Sequence, residues 1–146
     1  MAARWAFQEV IDDLLDATGA SRCTLRRDLP DDFFPVTHEA LSPGVPSIRD
    51  ERTTDLRNAP VVRELLETGS QVVQDDCASA FDDPGFQRML VAYGGLAAQI
   101  VTPVFHDGRL AAIVSLHQVG TPRTWSEHER ALAHEAAERV RSLLAA

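Results

Sequence analysis

The sequence contains no lysine: all fourteen fixed positive charges are arginines, set against 22 aspartates and glutamates, for a formal net charge of -8. An acidic chain of this kind argues against a nucleic acid or an anionic membrane surface as partner, because both require a positive face. Cysteine is scarce. Cys23 and Cys77 are the only two, they form no Cys-x-x-Cys pair, and no Cys/His cluster has zinc spacing, so neither a disulfide framework nor a metal site is expected. No apolar run approaches the length of a membrane span. The amphipathic pattern starts within the first residues, so no secretory signal is recognised and a cytoplasmic location is expected. Gly-x-Gly-x-x-Gly, Walker A, His-Glu-x-x-His and Gly-x-Ser-x-Gly motifs are all missing, as are internal repeats and low-complexity tracts.

What remains is ordinary globular composition: 146 residues, 45% hydrophobic and 25% charged, the size of one domain with a real core. Phe7, Ile11, Leu14, Leu15 and Thr18 recur at helical spacing, with Glu9, Asp12, Asp13 and Asp16 opposite, and Gly19 is a natural stop. This predicts a helix over about 3–18. Residues 21–27 alternate as a strand that places Cys23 and Leu25 on one face. A weaker strand spans 36–41. Residues 42–58, with Pro43, Gly44 and Pro46, read as a long loop of the kind that is often functional or mobile. Pro60 opens a helix that Gly69 closes. A short strand covers 71–75. Asp83-Pro84 caps a second short helix on which Phe86, Met89, Leu90 and Tyr93 share a face, ended by Gly94-Gly95.

Two strand-like runs, 98–105 and 110–118, flank Asp107-Gly108, the preferred dipeptide of a two-residue type I′ hairpin. That turn predicts pairing of His106 with Arg109, Thr102 with Ile113, Ile100 with Ser115 and Ala98 with His117. One face then carries Val101, Pro103, Phe105, Leu110, Ala112, Val114 and Leu116, and is expected to pack on helices. The other carries Ala98, Ile100, Thr102, Val104, Ala111, Ile113, Ser115 and His117. It mixes small, polar and apolar groups, and is expected to line a pocket. Ser126 and Glu129 fit a capping box at the head of a last helix through Leu132, Ala136, Val140 and Leu143. Terminal helices around a mostly antiparallel sheet define an α+β layer architecture.

The segment 95–144 resembles the C-terminal half of a GAF domain. The residues that carry the resemblance are the strand Ile100-Val101-Thr102-Pro103-Val104, the Asp107-Gly108 turn, the strand over 110–117, and Pro122-Arg123-Thr124-Trp125-Ser126 leading into a helix with Glu129. The segment 56–76 is similar too. The resemblance implies a PAS-related fold with helices from both termini on one sheet face and a covered pocket on the other. It implies a regulatory, small-molecule-binding role with signal passing through the terminal helices. GAF domains bind varied ligands, so it does not name one. Bilin-attaching members carry a cysteine beside a histidine, whereas Cys77 is followed by Ala78 and Ser79. Free methionine sulfoxide reductases use a set of cysteines that two thiols do not supply. No cofactor is therefore expected.

The expected ligand-binding residues are His117, Ser115 and Thr102 on the hairpin, Tyr93 and Met89 on the covering helix, His38 on the second strand, and Asp76 at the pocket mouth. Arg49 and Arg52 in the long loop are further candidates for an anionic ligand. Adjacent aspartates in a strand point to opposite faces, so Asp75-Asp76 is no ready-made catalytic dyad. No nucleophile–base–orienter set is visible, and the chain reads as a binding module rather than an enzyme. A homodimer through the terminal helices is also expected, and the alternatives to the binding role are a ligand-free form of that dimerisation module, built on exposed Trp5 and the small residues Ala133 and Ala137, and a redox enzyme on the same fold.

Overall fold

The computed structural model describes residues 2–52 and 54–146, with side chains from residue 4 onward. Among the described residues four helices and five strands follow in the order α1 (Ala2–Thr18), β1 (Arg22–Arg27), β2 (Val36–Leu41), α2 (Pro60–Thr68), β3 (Val72–Gln74), α3 (Pro84–Ala92), β4 (Leu96–His106), β5 (Arg109–Val119) and α4 (Glu127–Ala145). Short 3-10 turns at Leu56–Asn58 and Cys77–Ser79 were not legible as periodicity. The strands form one sheet in the order β2-β1-β5-β4-β3, with every neighbouring pair antiparallel.

Local chemistry sets the element ends. Gly69 adopts φ 66°, and its N–H bonds to the Leu65 carbonyl to close α2. The Asp83 carboxylate accepts from the Phe86 N–H at 2.9 Å, so α3 starts where a capping side chain precedes a first-turn proline. Ser126 and Glu129 exchange both bonds of a capping box at the start of α4. Each arrangement satisfies backbone groups that a helix end otherwise leaves open.

Two apolar layers sandwich the sheet. One packs α1 and α4 through Phe7, Ile11, Leu14, Ala133, Ala136, Ala137 and Val140 onto Cys23, Leu25, Ala98, Ile100, Val104, Ala112, Val114 and Leu116. Trp125 closes its edge and donates its indole N–H to the Gln74 carbonyl at 3.2 Å. The other layer gathers Phe34, Val36, Ile48, Val61, Val62, Leu65, Phe86, Met89, Leu90, Tyr93, Val101, Leu110 and Ile113 beneath α2, α3 and the long loop. Ala133 and Ala137 are consumed by the first layer, which corrects their expected place on an exposed dimerisation face: a small residue turned toward the sheet offers nothing to a second chain.

The hairpin register departs from expectation in an instructive way. The turn forms, with Asp107 at φ 53° and Gly108 at φ 77°, and His106 pairs with Arg109 and Phe105 with Leu110. A bulge then intervenes: Val104 pairs with Ala112, Thr102 with Val114, Val101 with Ser115 and Gln99 with His117. One extra residue flips the strand relative to its neighbour. The flip lets Leu110 bury in the second layer while Ala112, Val114 and Leu116 bury in the first. Ile113, Ser115 and His117 stay on the expected pocket side. The β4 residues facing that side are Gln99 and Val101, not Ala98, Ile100, Thr102 and Val104.

Candidate functional site

A cavity of about 50 Å³ lies between the sheet and the α2/α3 cover. Its apolar wall is Val61, Val62, Phe86, Met89, Val101 and Ile113, and its polar end is Arg26, Tyr93, Gln99, Ser115 and His117. Leu56 and Ala59 close the rim. Outside them open two clefts, one of about 500 Å³ that shares Ala59, Phe86 and Met89, and one of about 230 Å³ that shares Arg26, Leu56 and Tyr93.

The polar end is built on paired strands. β1 turns Arg22, Thr24 and Arg26 away from the terminal helices, opposite His117, Ser115 and Ile113 of β5. Arg22 is completely buried. Its Nε–H donates to His117 Nδ1 at 2.9 Å, and its terminal nitrogens donate to the carbonyls of Pro46 (2.8 Å) and Tyr93 (2.9 Å). One side chain thus ties β5, the end of α3 and the long loop together. The loop is locked at the same place from the other side: a Cβ on Gly94, at φ 79°, would sit 2.6 Å from Pro46 Cγ. Arg26 donates to the Phe34 carbonyl and to the Tyr93 hydroxyl, both at 2.8 Å.

No carboxylate among the described residues forms an ion pair with Arg22 or Arg26. Glu39 raises the Arg22 pKa at a distance, but its own oxygens hold the Ser47 hydroxyl and the Ile48 N–H. Burial outweighs it and lowers Arg22 to about 10, which leaves the guanidinium charged at neutral pH. His117 is pushed well below the ordinary imidazole value, first by burial and then by Arg22 and Arg26. It is therefore neutral, and because Nδ1 accepts from Arg22 its proton sits on Nε2. The Tyr93 ring stacks on it with centroids 5.9 Å apart.

The structure brings His117, Ser115, Tyr93 and Met89 together around the cavity. It places the other three expected residues elsewhere. Thr102 lies on the α4 side, where its hydroxyl accepts from Gln71, because the bulge reverses β4. His38 faces α1, against the Phe7 ring, because β2 pairs it with Leu25 of the terminal-helix face. Asp76 is exposed ahead of the 3-10 turn at Cys77–Ser79. Arg49 and Arg52 bond to nearby backbone carbonyls on the surface. Arg22 and Arg26, which build this polar end, were not among the expected residues. Their signal was present in the alternation Arg22-Cys23-Thr24-Leu25-Arg26, which gives the strand a fully polar second face.

The profile of the GAF domain family matches residues 6–144. The chain belongs to the GAF domain family. Among solved structures it is similar to the PixJ GAF domain of Thermosynechococcus elongatus in its blue-light-absorbing form, at 20% identity, covering 98% of this chain and 87% of that one, with a TM-score of 0.79. It is similar to the phycoerythrobilin-bound GAF domain of a cyanobacterial phytochrome, at 18% identity over 99% and 86% of the two chains, TM-score 0.82. The chromophore-binding domain of the R. palustris bacteriophytochrome RpBphP3 matches at 18% identity and TM-score 0.79, over 98% of this chain and 55% of that one. At such identities the likeness establishes the α+β GAF fold. No curated protein matches.

A covalently held bilin does not fit the residues present. The cavity is far below the roughly 300–1,000 Å³ of ordinary ligand pockets. Cys77 is fully buried, burial and then Asp76 raise its thiol to about 12, and its sulfur is engaged by Gln74. Cys23 is buried in the opposite layer and its thiol is raised further still. Among the described residues no group of three or more His, Cys, Asp or Glu is placed to hold a metal, and no helix is long and apolar enough to cross a membrane.

Proposed function

We propose that this GAF domain is a sensor module that binds a small molecule between its sheet and the α2/α3 cover and transmits occupancy to its terminal helices. The observation that carries the reading is a small chamber with an apolar wall and one polar end, which shares Ala59, Phe86 and Met89 with a ligand-sized cleft of about 500 Å³. Bilin-bound relatives of the same fold support a ligand-binding role in general terms. Transmission follows from strand alternation. Ser115 and His117 face the cavity while Val114 and Leu116, between and beside them, face α1 and α4. A ligand that shifts β5 by a fraction of an ångström therefore disturbs both layers. Trp5, 79% exposed on α1, offers a contact for a second copy or an output partner, so the expected homodimer belongs to the same proposal.

Native mass spectrometry of the purified protein, followed by thermal shifts with a metabolite panel, tests the reading. A co-purified small molecule, or stabilisation that grows with ligand concentration, is the expected result. Ser115→Phe, which fills the chamber, should abolish that stabilisation. Binding that survives Ser115→Phe would place the ligand elsewhere and refute the site.

A further inference from the structure

Apart from Gln99, whose amide NH2 donates to Gln74, the polar end of the chamber is one-sided in its hydrogen bonding. Arg26 has five N–H donors and directs two of them to Phe34 and Tyr93. The Tyr93 hydroxyl accepts from Arg26, which leaves its own O–H to donate. His117 accepts at Nδ1 and presents Nε2–H, which has no protein acceptor among the described residues. The Ser115 hydroxyl lines the chamber and likewise makes no hydrogen bond to a described residue. Thr24, fully buried between the two arginines on β1 though outside the chamber lining, has a hydroxyl with no partner among the described residues. Donors therefore converge on one small space that contains a guanidinium and no carboxylate. A guanidinium buried beside an apolar wall is an expensive arrangement, and the carboxylates of Asp32, Glu51 and Asp55 line the outer cleft that Arg26 shares rather than the chamber.

Resting on the binding role proposed above, we infer that the ligand is a small carboxylate with an apolar body, its head held by Arg26 with Ser115 and His117 Nε2–H, and its body against Val61, Val62, Met89 and Val101. The three N–H groups of Arg26 that remain after Phe34 and Tyr93 suit the oxygens of a carboxylate. The remaining hydroxyl and imidazole donors complete the acceptor sites of such a group. The present chamber holds little more than the head. A body of several carbons takes the space behind Ala59 and Met89, which the 500 Å³ cleft already shares. Arg22 is not part of this contact. All three of its nitrogens are engaged, and it acts as a positioning residue that fixes the His117 tautomer.

The test uses two matched pairs on the intact protein, 4-methylpentanoate with 4-methylpentanamide and 3-phenylpropanoate with 3-phenylpropanamide, measured by isothermal titration calorimetry. The expected result is saturable binding of at least one acid with its amide at least tenfold weaker, and at least a tenfold loss of acid affinity in Arg26→Gln. The wild-type acid–amide comparison stands even if Arg26→Gln fails to fold. Equal binding of acid and amide overturns the carboxylate inference and leaves the binding role intact. Silence of both pairs also overturns it, as does a neutral or cationic molecule found by native mass spectrometry. The binding role itself falls if native mass spectrometry finds no co-purified molecule and nothing in the metabolite panel stabilises the protein.

Discussion

Lowering the pH from 7 to 5 should destabilise the domain through His117. His117 is buried, its Nδ1 is occupied by an Arg22 N–H, and Arg22, Arg26 and the Tyr93 ring face it. Its folded pKa lies well below the ordinary 6.5, so the unfolded chain takes up a proton there while the folded chain does not. More protons bound in the unfolded state means stability that is complete above pH 6.5 and declines as pH falls below it, down to the folded pKa. The loss between pH 7 and 5 is bounded at about 1.9 kcal/mol, the limit for a group that stays neutral in the fold throughout, from the ratio of unfolded protonation at the two values. In a domain of this size that corresponds to a fall in Tm of about 4–8 °C. Urea titrations at several pH values measure it directly. His117→Asn keeps an acceptor near the Nδ1 position for Arg22 and removes the titration, so it should flatten most of the slope. His38, lowered mainly by burial, contributes with the same sign. A His117→Asn profile parallel to wild type would refute the assignment, and so would an imidazole resonance of His117 titrating near 6.5.

Three further outcomes follow from the geometry. Gly108→Ala places a Cβ in open space but at φ 77°, so it should cost about 1–2 kcal/mol in denaturant titrations through backbone strain alone. Gly94→Ala adds a clash with Pro46 to a similar strain, and should raise amide hydrogen exchange across 42–58 as well as lower stability. Neither Cys23 nor Cys77 should react with a thiol reagent such as iodoacetamide in the native protein at pH 7, and both should react once it is unfolded. Rapid native labelling of Cys77 would contradict its burial and its raised pKa.

Most elements were legible because their signals are local. A 3.6-residue apolar period, a capping side chain, a first-turn proline and an Asp-Gly turn each depend on a few neighbouring residues, and α1, β2, α3, α4 and the hairpin turn form where those signals stand. On β5 the alternation also placed Ser115 and His117 on the cavity side, as the structure has them.

What the sequence could not state is where a regular pattern breaks. The bulge beyond Leu110 is favoured because it buries Leu110 in one layer and Val114 and Leu116 in the other, a gain that exists only when both layers are assembled. That single slip moved Thr102 out of the site and brought Gln99 and Val101 in. The buried arginines were hidden for a related reason. Arginine is ordinarily a surface residue, and only the tertiary fold gathers the carbonyls of Pro46, Tyr93 and Phe34 that let Arg22 and Arg26 stay inside. Local sequence thus determined the elements and the layer order, while the register, the buried charge and the chemistry of the chamber were decided by contacts between residues far apart in the chain.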